Sequence, residues 1–187
     1  MRLRLEKYTS PLSILLVIID EQGALRALDF ADYEERMHRL LRTHYGTYEL
    51  QPGPAPVSVV EALDAYFAGD MKAIDELRVA TGGTPFQRAV WQALRAIPAG
   101  TTQSYGQIAV SCGHGTASRA VGAANGSNPI AIVVPCHRVI GANGTLTGYG
   151  GGLPRKRWLL DHERQALSKQ AKFAEPATRS QSLAATG

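Results

Sequence analysis

The chain has 187 residues, of which 44% are apolar and 19% charged, and its net charge of +4 is ordinary for a globular protein with a real core. Its two cysteines, Cys112 and Cys136, exclude a disulfide-stapled scaffold and a zinc module with four cysteine ligands. We therefore expect one or two compact domains in a reducing, cytoplasmic setting, with no metal and no other cofactor.

Two apolar strands come first along the chain. Residues 12–19 and 24–30 are rich in Ile, Leu and Val and are separated by the polar turn DEQG, which predicts a β-hairpin. The run LSILLVII follows Arg2, Arg4 and Lys7, as the apolar core of a signal peptide follows its basic start, but no small-residue cleavage site comes after it. The run is also far shorter than the roughly 20 residues that span a bilayer. We expect neither secretion nor a membrane partner.

Helices are predicted next, at about residues 31–44 and at VVEALDAYFAGD, where apolar residues recur at helical spacing and Gly69 acts as the stop. No catalytic constellation is visible in this half. Glycines form a flexible joint in ATGGTPF, and we place the domain boundary there. The predicted fold class is α/β (α+β), with an N-terminal α/β domain at 1–80, built on a hairpin-based sheet with helices, and a mostly helical C-terminal domain at 81–164.

The two halves of the chain carry net charges of opposite sign. Residues 1–83 carry 9 Lys and Arg against 13 Asp and Glu, whereas residues 84–164 carry 8 against 2. A cationic segment suits a polyanion such as DNA, because each neutralised phosphate releases condensed counterions. A basic face with no partner is the alternative, and charge alone leaves both open.

Three helices are predicted at the start of the C-terminal domain. Thr84 with Gln87 and Ser104 with Gln107 each have the spacing of a capping box, and Thr116 is predicted to cap the third helix, ASRAVGAAN, after the turn GHG. The second and third helices, joined by a glycine-containing turn, form a helix-turn-helix candidate whose third helix would read DNA. Helix pairs of this kind also occur in proteins that never touch DNA.

The third helix has a smooth surface, on which Arg119 is the only long side chain. Most of the remaining residues are small: Ala117, Ser118, Ala120, Gly122, Ala123 and Ala124. Such a helix can approach a DNA groove closely, and Arg119 can contact phosphate or act as a wedge in the base stack. The alternative is that the small residues serve tight packing in the core while Arg119 faces solvent.

The stretch NPIAIVVPCHRVIG carries the candidate chemistry. Its run PIAIVV predicts a buried strand that ends at Pro135, so that Cys136 and His137 lie where strand pairing stops. A thiol with a pKa near 8.5 needs a base or a positive charge to become a nucleophile. His137 is the candidate base and Arg138 the candidate positive charge; because neighbours on a strand point to opposite faces, His137 reaches the sulfur either through a water molecule or through a bend in the chain. The alternative is a cysteine that is simply a small buried apolar residue.

A carboxylate that holds the histidine would complete the logic of a catalytic triad. Acids are scarce in this half, and only Asp161 and Glu163, at the end of the helix PRKRWLLDHE, are available. Cys112 lies inside a predicted helix with no base beside it, which indicates a structural role.

Three segments, SYGQIA, SRAVGAANGSNPIAIVVPCHRVIG and TGYGGGLPRKRWLLDHE, together resemble the O6-alkylguanine-DNA alkyltransferases, above all the single-component bacterial methylated-DNA-protein-cysteine methyltransferases. The resemblance covers residues 84–163, and its PCHRV core is highly specific. It implies a DNA-repair enzyme that binds duplex DNA through its helix-turn-helix, enters the minor groove and rotates an O6-alkylguanine out of the duplex. The alkyl group then moves onto the enzyme's own cysteine, which is never regenerated. O4-alkylthymine is a second candidate substrate.

The same resemblance implies a role for each catalytic residue. Cys136 would be the nucleophile and permanent acceptor, and His137, acting through water and held by Glu163, would take its proton. Asn128 would brace the turn between the third helix and the short active-site strand. Tyr105 would crowd the 3′ phosphate and donate a hydrogen bond to guanine N3 as the leaving group develops charge.

The DNA and base contacts also follow from the resemblance. Arg119 would fill the space left by the extruded nucleotide, on a helix whose small residues face DNA: Ala117, Ser118, Ala120 and Gly122. Val139, Tyr149 and Gly150 would line the base pocket. Gly150 stands where some relatives have serine, so the glycine run leaves an open space for larger alkyl groups.

Residues 165–187, rich in Ala, Ser and Gln, continue past the usual end of the family and predict a disordered tail. We expect a monomer in solution, with assembly of several copies on DNA left open. Two other functions fit parts of the pattern: a helix-turn-helix regulator or damage sensor without chemistry, and a thiol hydrolase that turns over.

Overall fold

The computed structural model describes residues 1–174, and a four-stranded sheet organises the N-terminal domain. Strands β2 (Ile14–Asp20) and β3 (Leu25–Phe30) form the predicted antiparallel hairpin. Strand β1 (Arg2–Thr9) pairs antiparallel with β2 and parallel with β4 (Glu49–Pro52), which gives the order β3-β2-β1-β4.

The sequence analysis missed β1 because its charges suggested the start of a signal peptide. Arg2, Arg4 and Lys7 are exposed, while Leu3 and Tyr8 are buried. Because side chains alternate along a strand, Arg4 shares a face with the buried Tyr8 and Lys7 shares the other face with the buried Leu3, so the charges of β1 lie on both of its faces. Among the helices of residues 1–174, none has a stretch both long and apolar enough to cross a bilayer.

Strand β2 is buried on both faces, which accounts for its unbroken apolar run. On one face Leu16 and Ile18 share an apolar cluster with α1 (Glu34–Tyr45). On the opposite face Val17 packs in the main core with α2 (Val57–Ala68). The two helices therefore cover opposite sides of the sheet. Helix α2 ends at Gly69 as predicted, because the left-handed φ of +112° there favours glycine.

The C-terminal domain is mostly helical, as predicted. Helices α3 (Pro85–Arg95), α4 (Tyr105–Ser111) and α5 (Ser118–Gly126) pack on one another, and α4 and α5 form the helix-turn-helix pair. A two-stranded parallel sheet of β5 (Gln103–Ser104) and β6 (Val139–Ile140) joins the start of α4 to the segment that follows Cys136 and His137.

Both predicted capping boxes are present. The Thr84 hydroxyl accepts a hydrogen bond from the backbone N–H of Gln87, whose side chain accepts one from the Thr84 N–H, and Ser104 and Gln107 make the same exchange. These contacts satisfy backbone donors that each helix leaves unpaired at its start.

The predicted cap of α5 is wrong. The helix begins after Ala117 with no side-chain cap, so Thr116 lies one residue too early. A backbone turn takes the place of the cap, because the Ala117 N–H donates to the His114 carbonyl at 2.8 Å. The turn GHG therefore leads into the helix through main-chain bonds alone.

The run PIAIVV is not a strand. Its residues form consecutive turns, with one isolated bridge from Ile130 to Leu28 of β3, and Ile132 has a left-handed φ of +68°. The run is buried on every side, and complete burial removes the alternation that separates strand from turn. Cys136–Arg138 form a 3-10 turn, so the predicted active-site strand shrinks to β6.

Helix α6 (Leu153–Ala174) corrects the predicted disorder of residues 165–174. Ala166 is buried, and the Gln170 side chain donates to the Gly69 carbonyl at 2.9 Å. Ala and Gln, which suggested disorder, are also strong helix formers once one face has a surface to pack on. The rest of the predicted tail, 175–187, lies outside the described residues.

Candidate active site

Two elements bring a histidine and a carboxylate together beside the cysteine. The 3-10 turn presents Cys136 and His137, and α6 presents Glu163 from the middle of its length. His137 Nε2 lies 2.8 Å from Glu163 Oε1, and both side chains are fully buried. An ionised carboxylate can only accept, so Nε2 carries the proton and Nδ1 is left as an acceptor. His137 Nδ1 has no hydrogen-bond partner within residues 1–174.

Glu163 receives more donors than the histidine alone supplies. The Arg138 Nε lies 3.1 Å from each carboxylate oxygen, and its Nη2 lies 2.9 Å from Oε1. The backbone N–H of Gly100 donates to Oε2 at 2.9 Å and the Tyr66 hydroxyl to Oε1 at 3.0 Å. Glu163 is therefore a fully satisfied buried anion with a permanent positive charge beside it.

These contacts set the protonation states of the pair. Burial alone would raise the pKa of Glu163, but the hydrogen bonds and charges of His137 and Arg138 outweigh it and hold the pKa far below the usual range. Burial lowers the pKa of His137, although Glu163 opposes the shift, so the imidazole is neutral at neutral pH. The charge of Arg138 keeps Glu163 ionised beside that neutral imidazole.

The resting sulfur of Cys136 is a thiol. The residue is 5% exposed, and burial raises its pKa, while the Asn128 side chain and the charges of Arg36 and Lys156 act in the opposite direction. A thiol of raised pKa needs a base at the moment of reaction, and the neutral His137, next to Cys136 in the chain, is the candidate.

Asn128 ties the end of α5 to the active-site turn. Its Nδ2 donates to the carbonyls of Val134 at 2.8 Å and Ile130 at 3.3 Å, and its Oδ1 accepts from the Ile130 N–H at 3.0 Å. These bonds bracket Ile132 and hold its left-handed backbone, which costs on the order of 1 kcal/mol or more when unsupported.

Tyr105 lies at the start of α4, between α5 and the loop before α6. Its hydroxyl is 3.4 Å from the Thr147 carbonyl and 3.5 Å from the Thr147 hydroxyl, both weak contacts. Gly122 of α5 faces its ring, because a Cβ there would lie 3.8 Å from the Tyr105 Cδ1. The tyrosine is half-buried, and its accessible hydroxyl lies next to the active-site loop, residues 141–152 between β6 and α6.

The predicted DNA-facing residues of α5 are divided by exposure. Arg119 and Ala120 are exposed, and Ala117, Ser118 and Gly122 are half-buried. Arg119 therefore projects from a surface with little other bulk, which agrees with both of the alternatives that the sequence left open.

Of the predicted base-pocket residues, Val139 and Tyr149 belong to the same apolar cluster as Cys136, but the glycine run is not open. Val139 is fully buried, and the buried Tyr149 hydroxyl has no hydrogen-bond partner within residues 1–174. A Cβ on Gly150 would lie 2.6 Å from the Arg36 guanidinium carbon, and one on Gly151 would lie 2.3 Å from the Phe30 ring. Arg36 and Phe30 of the N-terminal domain therefore fill the space beside the glycines that was predicted to admit larger alkyl groups.

Arg36 is one functional candidate that the sequence did not reveal. It lies on α1, and its guanidinium donates to Asp29 at 2.5 Å and to the carbonyls of Gly126 at 2.9 Å and Asn128 at 3.1 Å. These partners are up to 92 residues away along the chain, so no local pattern could have indicated the contact.

Lys156 is a second missed residue. Its buried ammonium donates to the carbonyls of Val139 at 2.5 Å and Thr147 at 2.6 Å, which ties β6 to the active-site loop. Burial lowers the pKa of Lys156 to about 8. Within the basic run PRKRW, the periodicity of the helix turns Lys156 toward the core. That periodicity is the one feature of the sequence that could have distinguished Lys156 from Arg155 and Arg157.

No metal site accompanies this arrangement: in residues 1–174, no three His, Cys, Asp or Glu side chains come close enough to hold an ion.

Two family models match the chain. The model described as "6-O-methylguanine DNA methyltransferase, ribonuclease-like domain" matches residues 3–81, and that described as "6-O-methylguanine DNA methyltransferase, DNA binding domain" matches residues 85–165.

Curated relatives and solved structures agree with these models. The methylated-DNA–protein-cysteine methyltransferase of Salmonella typhimurium is 57% identical over 169 residues, which is 89% of this chain and 99% of the relative. The protein of that name from Mycobacterium tuberculosis is 53% identical over 131 residues, 70% of this chain and 76% of the relative. The crystal structure of Mycobacterium tuberculosis OGT in complex with DNA superposes with a TM-score of 0.72 at 41% identity, covering 89% of this chain and 94% of the other.

Proposed function

Because the chain belongs to the 6-O-methylguanine DNA methyltransferase family, we propose that it repairs DNA by moving the alkyl group of an O6-alkylguanine onto Sγ of Cys136. The chain is thus a methylated-DNA–protein-cysteine methyltransferase. Each protein molecule carries out the transfer only once. The observation that carries the proposal is the buried 2.8 Å hydrogen bond between His137 Nε2 and Glu163 Oε1, next in the chain to the thiol.

DNA binding falls to the helix-turn-helix of α4 and α5. The smooth surface of α5 and the exposed Arg119 support an approach into a narrow groove, and the cationic residues 84–164 supply the attraction to phosphate. Chemistry at O6 of a paired guanine requires the base to leave the stack, at a cost of a few kcal/mol. Arg119 would occupy the vacated space in the duplex.

Proton removal begins the transfer. A water molecule accepts the Cys136 thiol proton and passes a proton to His137 Nδ1, the nitrogen that Glu163 leaves unprotonated. The imidazolium that forms is stabilised by the Glu163 carboxylate, which Arg138 keeps ionised. Asn128 holds the turn that presents the sulfur to the base.

Displacement completes the reaction. The thiolate attacks the alkyl carbon, the carbon–O6 bond breaks, and its electron pair passes into the guanine ring. A hydrogen bond from Tyr105 to guanine N3 stabilises the developing anion, an effect worth about a hundredfold in rate. The guanine anion takes up a proton from solvent and the His137 imidazolium returns its proton to water, so the products are guanine in DNA and an alkylated Cys136, whose thioether has no route back to a thiol.

The same displacement at O4 of an alkylated thymine is a second reaction within this proposal, and duplexes with O4-methylthymine test it. Because the acceptor is a free thiol, we infer a reducing, cytoplasmic setting; Cys112 and Cys136 are both unpaired. We also infer that one protein molecule acts on one lesion in double-stranded DNA.

Intact mass after incubation with a duplex that contains O6-methylguanine tests the function. We expect a gain of one methyl group per protein in the wild type and in Cys112→Ala, and none in Cys136→Ala. Binding without any mass gain would favour a damage sensor. Product in excess of one equivalent per protein would indicate a thiol hydrolase that turns over.

A further inference from the structure

The N-terminal domain reaches the buried carboxylate of the active site. Tyr66, on α2, is fully buried, and its hydroxyl donates to Glu163 Oε1 at 3.0 Å across 97 residues of sequence. Oε1 is the same oxygen that accepts from His137. A side chain of the N-terminal domain and the candidate base therefore donate hydrogen bonds to the same carboxylate oxygen.

The tyrosine ring has little freedom to move away from this contact. The ring of Phe67 packs edge-on at 5.3 Å and that of His162 at 5.4 Å. His162 Nε2 also bonds to the Tyr66 carbonyl at 2.9 Å, which ties α2 to α6. The hydroxyl is therefore held at a fixed distance and angle from the carboxylate.

The hydroxyl remains a donor at every pH of interest. Burial, reinforced by the charge of Glu163, raises the pKa of Tyr66 well above its usual value. A phenol that stays protonated beside a carboxylate withdraws negative charge from it and weakens its attraction for an imidazolium.

We propose that Tyr66 is a positioning residue for alkyl transfer, whose hydroxyl fixes the Glu163 carboxylate and tunes the basicity of His137. The proposal rests on the proposed function for its consequence in repair, and it gives the N-terminal domain a part in the chemistry. It is separate from the contacts of Arg36, which concern the loop around Gly150.

The decisive variant is Tyr66→Phe, which keeps the ring packing and removes the hydrogen bond. Oε1 then becomes a stronger acceptor and His137 becomes more basic. The acid limb of the pH–rate profile, where the rate rises as His137 loses its proton, moves to higher pH by roughly half a unit to one unit. At pH values on the acid side of this rise, we expect the variant to react about three- to tenfold more slowly than the wild type. Tyr8→Phe is the matched control, because Tyr8 donates at 2.6 Å to Asp64 on the same helix but contacts neither His137 nor Glu163.

Two reactions provide the readout, both in a Cys112→Ala background where Cys136 is the sole cysteine. Single-turnover methyl transfer from O6-methylguanine DNA measures the proposed function. Alkylation of Cys136 by iodoacetamide, followed by intact mass from pH 5 to 9, needs no DNA. Failure of wild-type methyl transfer would remove the proposed function and leave the Tyr66 inference to be judged on the iodoacetamide profile.

A second variant distinguishes loss of the hydrogen bond from a change in packing around the ring. Replacement of Tyr66 by 3-fluorotyrosine keeps the hydroxyl and makes it a stronger donor, so the acid limb should move to lower pH, opposite to Tyr66→Phe. Profiles that coincide with that of Tyr8→Phe for both Tyr66 variants would overturn the proposal, as would shifts of both in the same direction.

Discussion

Arg36 of the N-terminal domain lies directly against Gly150 of the active-site loop: a Cβ on Gly150 would lie 2.6 Å from the guanidinium carbon. The guanidinium cannot yield freely, because it is paired with the buried Asp29 and donates to two carbonyls at the end of α5. Burial raises the pKa of Asp29, and the Arg36 charge opposes that shift. The glycine at 150 is therefore a packing requirement of this chain.

Gly150→Ser should lower the free energy of unfolding by about 1–3 kcal/mol, since the added side chain must displace a pinned guanidinium. Urea denaturation measures the change. In an Arg36→Ala background the same substitution should cost less, with a coupling of about 1 kcal/mol or more in the double-mutant cycle. Gly126→Ser is the control, because a Cβ there has no atom within 4 Å. Equal costs in both backgrounds would show that Arg36 does not restrict position 150.

Glu163→Gln should destabilise the protein at neutral pH by about 3–5 kcal/mol, because it leaves the buried Arg138 without its counter-charge. The variant should also lose part of the acid sensitivity of the wild type. The folded pKa of Glu163 lies far below its usual value of 4.5, so the unfolded chain takes up this proton first and stability falls as the pH drops below about that value.

Chemical denaturation at pH 7 and at two values between 3 and 5 tests this prediction. The difference in unfolding free energy between wild type and Glu163→Gln should narrow as the pH falls. A constant difference across that range would mean that Glu163 does not carry a depressed pKa in the folded state.

Features that depend on neighbours in the chain could be predicted from sequence. The capping boxes at Thr84 and Ser104 and the stop at Gly69 were correct, since each is a contact within one helical turn. The buried run PIAIVV was misassigned, because a segment that is apolar on all sides has no periodicity to read.

Some residues of the candidate site could be predicted from the sequence, and others could not. Cys136 and His137 are adjacent, and the choice of Glu163 rested on a resemblance to known enzymes, not on spacing. In the structure His137 is hydrogen-bonded to Glu163, and Asn128 is hydrogen-bonded to the turn that precedes Cys136. Arg36 and Tyr66 could not be predicted, because each reaches the site from the other domain across more than 90 residues.

Tyr105→Phe should slow single-turnover methyl transfer by about a hundredfold and weaken DNA binding only slightly. The hydroxyl makes only weak contacts of 3.4 and 3.5 Å with Thr147, so its removal should leave the loop in place. Rapid-quench kinetics at saturating protein separate the transfer step from binding. An unchanged rate constant would remove Tyr105 from the role of hydrogen-bond donor to the leaving guanine.

Arg119→Ala should impair repair of a base-paired lesion more than repair of the same lesion in a single strand. A wedge stabilises the gap left in a duplex, where unstacking costs a few kcal/mol, and has nothing to fill in a single strand. We expect about a tenfold or greater loss of rate on duplex DNA at sub-saturating protein, and a small loss on single strands. The exposed Arg39 of α1 supplies the control, since Arg39→Ala removes one charge away from the helix-turn-helix. An equal loss on both substrates would mean that Arg119 acts only through its charge on phosphate, and the smooth surface of α5 would then serve close approach to the groove without a wedge.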